Sequence, residues 1–344
     1  MEFAIGYNQE FEDTIRILDE YRDYVNEIYF PVPSSFLGSG RSTLQSKRYA
    51  KEVEGLIKEC GDMTIKRTLL INPTCEGNWT ADRAHMYEVV DYVKGLASSG
   101  LESIILVNPL YMALIREEIP ELEIQASVNC FCQTVEHAMY LKDLGCDILT
   151  VDRDVNRNIK QISRLKERTG MEIKILLNEG CLSNCPFRKI HFNQIAHLKG
   201  DSPDDTVKVI NFATMACIAA LEKSPEKCFR SPFIRPEDLS HYANIGDYFK
   251  LATRTMSSSL VEETIKAYAD ESFDGNLVRL LETQGLPRVI RRIDNKRLDE
   301  FGFFRKITTC NEVCDKCNYC KTLLEEAAEL WDNRIPISER NPPP

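Results

Sequence analysis

The sequence has no long hydrophobic run: its longest apolar stretch, Ala213 to Leu221, is far too short to span a bilayer. Its first residues, Met1-Glu2-Phe3-Ala4, run into Gln9-Glu10-Phe11-Glu12 with no apolar segment of the kind that drives secretion. A cytoplasmic protein without a membrane partner is expected. Positive charge is in deficit as well. Lys and Arg number 43 against 53 Asp and Glu, a net charge of −10, so composition confers no general affinity for nucleic acid. One basic stretch runs counter, Arg288-Val289-Ile290-Arg291-Arg292 with Lys296 and Arg297. Asp294 and Asp299 interrupt it, so it reads as a solvated helix face, with an RNA partner as the alternative. Hydrolytic signatures are missing too. Neither G-x-S-x-G nor H-E-x-x-H occurs, and nothing local marks a nucleophile. No internal repeat or low-complexity linker divides the chain.

What is present is an ordinary globular composition, 43% apolar and 28% charged, arranged as short apolar runs alternating with amphipathic stretches. Eight candidate strands stand out: Phe3–Tyr7, Glu27–Phe30, Ile65–Ile71, Ser103–Val107, Glu123–Val128, Asp147–Val151, Glu172–Leu177 and Tyr248–Thr253. Most are continuously apolar or β-branched, as parallel strands buried on both faces must be. Helical patterns lie between them, including Phe11–Tyr21, Ser46–Cys60, Asp82–Ser98, Val135–Leu144, Asn156–Arg168 and Ser258–Asp270. Gly100, Gly145, Gly170 and Gly246 fall after helices and before strands, where a C-cap glycine belongs. The pattern predicts an α/β protein of the (β/α)8 class, a TIM barrel. A doubly wound sheet is the alternative, weakened because no G-x-G-x-x-G follows the first strand.

The expected boundaries are 1–272 for the barrel and 273–344 for a C-terminal extension. The seventh connection is unusually long, about 70 residues from Asn178 to Asp247, and carries a cysteine-bearing insertion at 179–233. In the extension a helix is predicted over Leu323–Trp331, and Pro342-Pro343-Pro344 reads as disordered.

In such a barrel, chemistry gathers where strands end. Asn8, Asn72, Asn108, Asn129 and Asn178 each follow a strand's apolar run. Asparagine serves turns well, yet five similar strand ends also suit a mouth that hydrogen-bonds a polar substrate. Asp152, Lys250 and Arg254 add charge at the ends of the sixth and eighth strands, and Glu179 and Arg188 follow the seventh. Glu179 and Asp152 are the candidates for moving protons. Arg188, Arg235, Lys250 and Arg254 are suited to an anionic substrate, because guanidinium groups pair carboxylates or phosphates.

Thirteen cysteines in a reducing compartment point to metal ligands or redox groups where they cluster. The most specific pattern is Cys310-x3-Cys314-x2-Cys317-x2-Cys320, four thiols within eleven residues. Its spacing reverses that of the bacterial ferredoxin run, which points to a 4Fe–4S cluster, with zinc as the alternative. Cys310, Cys314 and Cys317 also match the cysteine spacing of radical S-adenosylmethionine enzymes. Cys320, placed to close the site, argues against that chemistry. A second pair, Cys181-x3-Cys185, follows strand seven, and Cys217 and Cys228 are candidates to complete it as a second cluster site. Taken singly, Cys217 also reads as a core thiol and Cys228 as a surface residue.

Asn178-Glu179-Gly180-Cys181-x3-Cys185-Pro186-Phe187-Arg188 after the seventh strand resembles the collagenase-like peptidase family U32. So do Phe233-Ile234-Arg235-Pro236-Glu237-Asp238-Leu239 and Asp247-Tyr248-Phe249-Lys250-Leu251-Ala252-Thr253-Arg254. The resemblance covers roughly residues 1 to 270. The family's E-x-F-x-x-G before the first cysteine and its later G-x-C are absent, as in a divergent branch. The resemblance implies a barrel holding a 4Fe–4S cluster through cysteines in and around the seventh loop. Cys181, Cys185 and Cys217 match cysteine positions of similar branches. It also implies redox or oxygen-independent hydroxylation chemistry in several relatives, apparently with prephenate as oxygen donor, and proteolysis in others. An enzyme with two 4Fe–4S clusters and a small-molecule or peptide substrate is therefore expected. A metal-dependent peptidase and a non-catalytic electron-transfer or assembly partner of another protein are the alternatives.

Overall fold

The structure, a computed structural model, describes residues 1–33, 37, 45, 47–77, 82–197 and 212–340. Eight parallel strands pair in sequence order and close on themselves. They are β1 (Phe3–Gly6), β2 (Val25–Pro31), β3 (Lys66–Ile71), β4 (Ser103–Leu106), β5 (Glu123–Ala126), β6 (Ile148–Thr150), β7 (Glu172–Leu176) and β8 (Tyr248–Leu251). Closure is made where Phe3 of β1 lies opposite Phe249 of β8 and Ile5 opposite Leu251. Each strand is short and nearly all its residues are buried, which is what the unbroken apolar runs require.

Helices cover the outside: α1 (Phe11–Glu20), α2 (Tyr49–Asp62), α3 (Arg83–Ser98), α4 (Pro109–Glu118), α5 (Val135–Asp143), α6 (Ile159–Thr169), α7 (Arg188–Ala196), α8 (Phe212–Lys223) and α9 (Ser258–Ala269). Their starts follow local chemistry. Asp82, Thr134 and Asn158 each accept a hydrogen bond from the backbone three residues on, and Asn108 caps α4 ahead of Pro109. Gly170, at φ +64°, ends α6 in the left-handed region, as predicted; Gly100 and Gly145 also have positive φ. Gly246 does not; it follows a 3-10 turn, Pro236–Tyr242.

The barrel interior is layered. Ala4, Tyr29, Leu70 and Ile105 form one apolar layer, and Val128, Leu176 and Ala252 another nearer the mouth. Between strands β2, β5 and β7 sits a buried polar group. Lys174 donates to Glu27 at 2.5 Å and to the Gln125 carbonyl at 2.6 Å, and Gln125 donates to Ser103 at 2.8 Å.

The extension departs from expectation in two places. The basic segment expected as a helix face forms a strand, β9 (Ile290–Ile293), whose terminal isoleucines are buried and whose arginines face outward. It pairs antiparallel with β10 (Ala328–Leu330), so the helix predicted over Leu323–Trp331 is α12 (Tyr319–Ala327), ending where β10 begins. Two short helices, α10 (Arg297–Glu300) and α11 (Phe303–Thr308), lie between. Apolar side chains of the extension, including Leu277, Leu298, Phe303 and Leu323, share one core with the barrel. The Pro342–Pro344 reading lies outside the described residues.

Candidate active site at the barrel mouth

The ends of β2, β3, β5, β6, β7 and β8 surround a narrow cavity of about 30 Å3, bordered by Tyr29, Asn72, Asn129, Arg153, Lys250 and Arg254. Phe192 of α7 also borders it, its ring 5.0 Å from the Arg153 guanidinium carbon. Lys250 places its ammonium 3.7 Å from the centre of the Tyr29 ring, a cation–π contact that holds the charge at the rim. Arg254 reaches the same space only because β1 ends in Gly6. A Cβ there would lie 2.5 Å from Arg254 Cγ and 2.9 Å from the Tyr29 ring.

Arg153 was not picked out from the sequence, yet it is the most buried cation of the site, 1% exposed. Its Nε donates to Glu179 at 2.7 Å and its Nη2 to the Asn129 side-chain oxygen at 3.0 Å. Glu179, wholly buried, also accepts from the Cys181 backbone at 3.0 Å. The signal lay in Val151-Asp152-Arg153-Asp154, a charged triplet directly after a strand.

Of the predicted site residues, Asn72, Asn129, Lys250 and Arg254 line the cavity, and Glu179 stands behind Arg153. Others are engaged elsewhere. Asn8 bonds Met256 O and the Ser258 hydroxyl at the start of α9, and Asn108 donates to Glu76 while capping α4. Asn178 donates to the carbonyls of Ala252 and Leu280 and accepts from Ala252 N, a clasp between β7, β8 and the extension. Arg235 is not a mouth residue. It pairs with Asp238 and Asp299 at 2.8 Å, donates to Asn295 O and packs on the Phe303 ring, fastening the extension to the barrel. Arg188 is buried against Asp154 and donates to Leu182 O, which braces the loop after β7. Asp152 accepts from Gln133 at 2.6 Å and from the backbone of Asp154, as a cap of the turn Arg153–Val155.

The cysteines divide differently from the expected grouping. Cys181, Cys185 and Cys217 are half-buried near the mouth. Burial, and then the neighbouring Cys185, push the Cys217 thiol up to about 11. Cys228 does not join them. It is fully buried, and after burial itself the group that most raises its pKa is Cys320 of the extension. The reason is packing: the turn Pro225–Arg230 lies against α12. Cys310, Cys314, Cys317 and Cys320 border one cavity of about 830 Å3, with Asp154 and Ser183 on its barrel side. Burial, and then Cys310, Cys314 and Cys317, push Cys320 up to about 11. Among the described residues no three His, Cys, Asp or Glu side chains stand close enough to hold a metal ion. The adjacent residues Arg153 and Asp154 thus face two different cavities, one at the mouth and one beside the four thiols.

The model of peptidase family U32 matches residues 50–184. The uncharacterized protease MJ1657 of Methanocaldococcus jannaschii is 30% identical over 95% of this chain and 99% of its own. A solved structure, that of the U32 peptidase Mk0906, aligns at a TM-score of 0.48 with 19% identity, covering 61% of this chain and 85% of that one. No helix among the described residues is long and apolar enough to cross a membrane. This chain belongs to peptidase family U32.

Proposed function

We propose that the chain is an iron–sulfur barrel enzyme acting on a small anionic substrate held at the mouth, by redox or oxygen-independent hydroxylation chemistry. The observation that carries this reading is the cavity itself. Arg153, Lys250 and Arg254 border a space of about 30 Å3, which suits an anionic group and is too narrow for a polypeptide backbone with side chains. Asn72 and Asn129 supply neutral hydrogen bonds at the same rim. Glu179 stands behind Arg153 and holds that guanidinium in place toward the anion.

The donor set beside α12 suits a thiolate-bound group, since four thiols border one cavity and a metal cation would offset the repulsion among their thiolates. Cys310, Cys314, Cys317 and Cys320 would hold it. At the mouth, Cys181, Cys185 and Cys217 would hold a second group with a ligand still to be supplied. A 4Fe–4S cluster in either place supplies single electrons. The residues of the chain bind the anion, orient it and exclude water beneath Phe192.

Anaerobic purification followed by iron and sulfide analysis tests this reading. Two clusters give close to eight of each per protein, whereas zinc with no sulfide sinks it. A metal-dependent peptidase is the second reading, supported by the protease name of the 30% identical relative. The histidine contacts favour it little: His191 meets the Thr214 hydroxyl at 3.5 Å, His241 stacks on Phe304, and His85 pairs with Glu88. None of these contacts is with a second histidine, and only that of His85 is with a carboxylate, as a peptidase metal site would need. Peptide cleavage that persists in cluster-free protein would establish the second reading. The RNA alternative gains nothing from the basic segment, because Arg291, Arg292 and Arg297 each pair with a carboxylate. If the protein instead serves as an electron carrier or assembly partner, clusters load but no small anion binds at the mouth.

A further inference from the structure

Arg153 has five N–H donors, and the structure accounts for the Nε and one side of the fork: Glu179 takes Nε and Asn129 takes Nη2. The Nη1 nitrogen is buried and has no hydrogen-bond partner among the described residues. A buried guanidinium donor left unmatched is costly, and such atoms call for an explanation. The residue lines the mouth cavity, which has room for about one or two waters or for the oxygens of a single acid group.

A second, larger space lies beside the cavity. Asn129 borders both the inner space and a groove of about 550 Å3 walled by Val107, Pro109, Phe131, Tyr140, Leu141 and Lys189. Phe131 is the partition. It sits at φ +54°, in the left-handed region, with Arg153 6.0 Å from its ring on the inner side and the Lys189 ammonium 5.5 Å away. The groove is mostly apolar, whereas the inner cavity is bordered by cations. Head and body of one ligand are thus offered opposite surroundings.

Resting on the reading of an anionic substrate, we infer that Arg153 Nη1 anchors one carboxylate oxygen of a ligand whose uncharged body lies in the groove beside Phe131 and Tyr140. A planar carboxylate suits a space this small better than a tetrahedral phosphate does. Lys250 and Arg254 contribute field from the rim. The Arg153–Glu179 pair keeps the guanidinium fixed, so binding needs little reorganisation on the inner side.

The test uses hexanoate, hexanamide and hexyl phosphate as probes of the full-length protein, with affinities from saturation-transfer difference NMR. Hexanoate is expected to bind at least about tenfold more tightly than hexanamide, as loss of a charge-assisted hydrogen bond implies. Arg153→Lys keeps a cation for Glu179 but removes the Nη1 donor, and should weaken hexanoate by about tenfold while leaving hexanamide unchanged. Because Arg153 is buried, the double substitution Arg153→Met with Glu179→Met serves as a second variant that leaves no lone charge, and its preference for hexanoate over hexanamide should fall by about tenfold, to what Lys250 and Arg254 supply from the rim. Thermal denaturation of each variant confirms folding. Hexanoate binding that survives Arg153→Lys but falls in Lys250→Met would overturn the Arg153 anchor and leave the anionic-substrate reading standing. Equal affinity of hexanoate and hexanamide for the parent protein would mean that Nη1 is satisfied by water only, and the inference fails. Tighter binding of hexyl phosphate than hexanoate would replace carboxylate by phosphate and overturn the stated class.

Discussion

Replacing Lys174 with Met should destabilise the barrel severely, and the geometry says by how much. The ammonium is wholly buried and lies 2.5 Å from Glu27, itself 1% exposed, and 2.6 Å from Gln125. Methionine nearly preserves the volume, so the loss is electrostatic rather than a cavity. With the cation gone, the nearest donor to Glu27 is Gln125 Nε2 at 3.4 Å, too long to compensate. Removing one partner of a buried pair costs about 3–5 kcal/mol. For 344 residues the unfolding entropy is roughly 0.7 kcal/mol per degree, so Tm should fall by about 4–7 °C. Urea denaturation followed by circular dichroism measures the same loss. The deficit should depend on pH. Burial pushes the Glu27 carboxyl up, but the charge and hydrogen bond of Lys174 outweigh it and hold the group below the usual carboxylate range. The parent therefore keeps this stabilisation at neutral pH and loses it as pH falls through that lowered value. In the Met variant only the weaker fields of Lys250 and Lys66 favour the Glu27 charge, so the gap between variant and parent should narrow in acid. Changing Glu27 to Leu alongside Lys174→Met should recover most of the loss. A neutral-pH deficit below about 1 kcal/mol, or a double variant as unstable as the single one, would refute the reasoning.

Three further outcomes follow from other contacts. Arg235→Ala breaks the fastening to Asp238 and Asp299 and should cost about 3–5 kcal/mol by urea melts, while affinity for an anion at the mouth stays that of the parent protein. Gly6→Ala drives a methyl group into Arg254 and the Tyr29 ring; a stability loss of about 1–3 kcal/mol should accompany weaker anion binding, measured together by melting and titration. In metal-free protein, iodoacetamide followed by peptide mass spectrometry should label the exposed Cys310 and Cys314 first. Cys60, Cys132, Cys146 and Cys228 are buried and should be labelled only on unfolding. Protection of Cys310, Cys314, Cys317 and Cys320 as a set after reconstitution would show that one group engages all four.

The barrel was legible in the sequence because burial on both faces leaves a direct trace, an unbroken apolar run at every strand. All eight runs became strands in the order expected. The basic segment was misread because Ile290-Arg291-Arg292-Ile293 fits either period, and only its pairing with Ala328–Leu330 decides for a strand. Side chains at strand ends carry a weaker trace. An amide there can serve a turn, a helix cap or a ligand, and the same signal at Asn8, Asn72, Asn108, Asn129 and Asn178 resolved into different uses. Arg153 shows the converse. Flanked by Asp152 and Asp154 it resembles a solvated loop residue, and only the placement of Phe192 and Glu179 reveals a cation turned inward.

The cysteines make the point most sharply. Sequence proximity assigned Cys228 to the insertion that holds Cys181, Cys185 and Cys217, but packing of its turn against α12 sets it beside Cys320, 92 positions away by number. The two thiol groups are therefore unequal. The one in the extension has four donors within eleven residues, all bordering one roomy cavity. The one at the mouth draws on the loop after β7 and on α8, and loses the fourth cysteine the sequence had lent it. A metal group bound there would need a further ligand beyond Cys181, Cys185 and Cys217, whereas one bound in the extension would not.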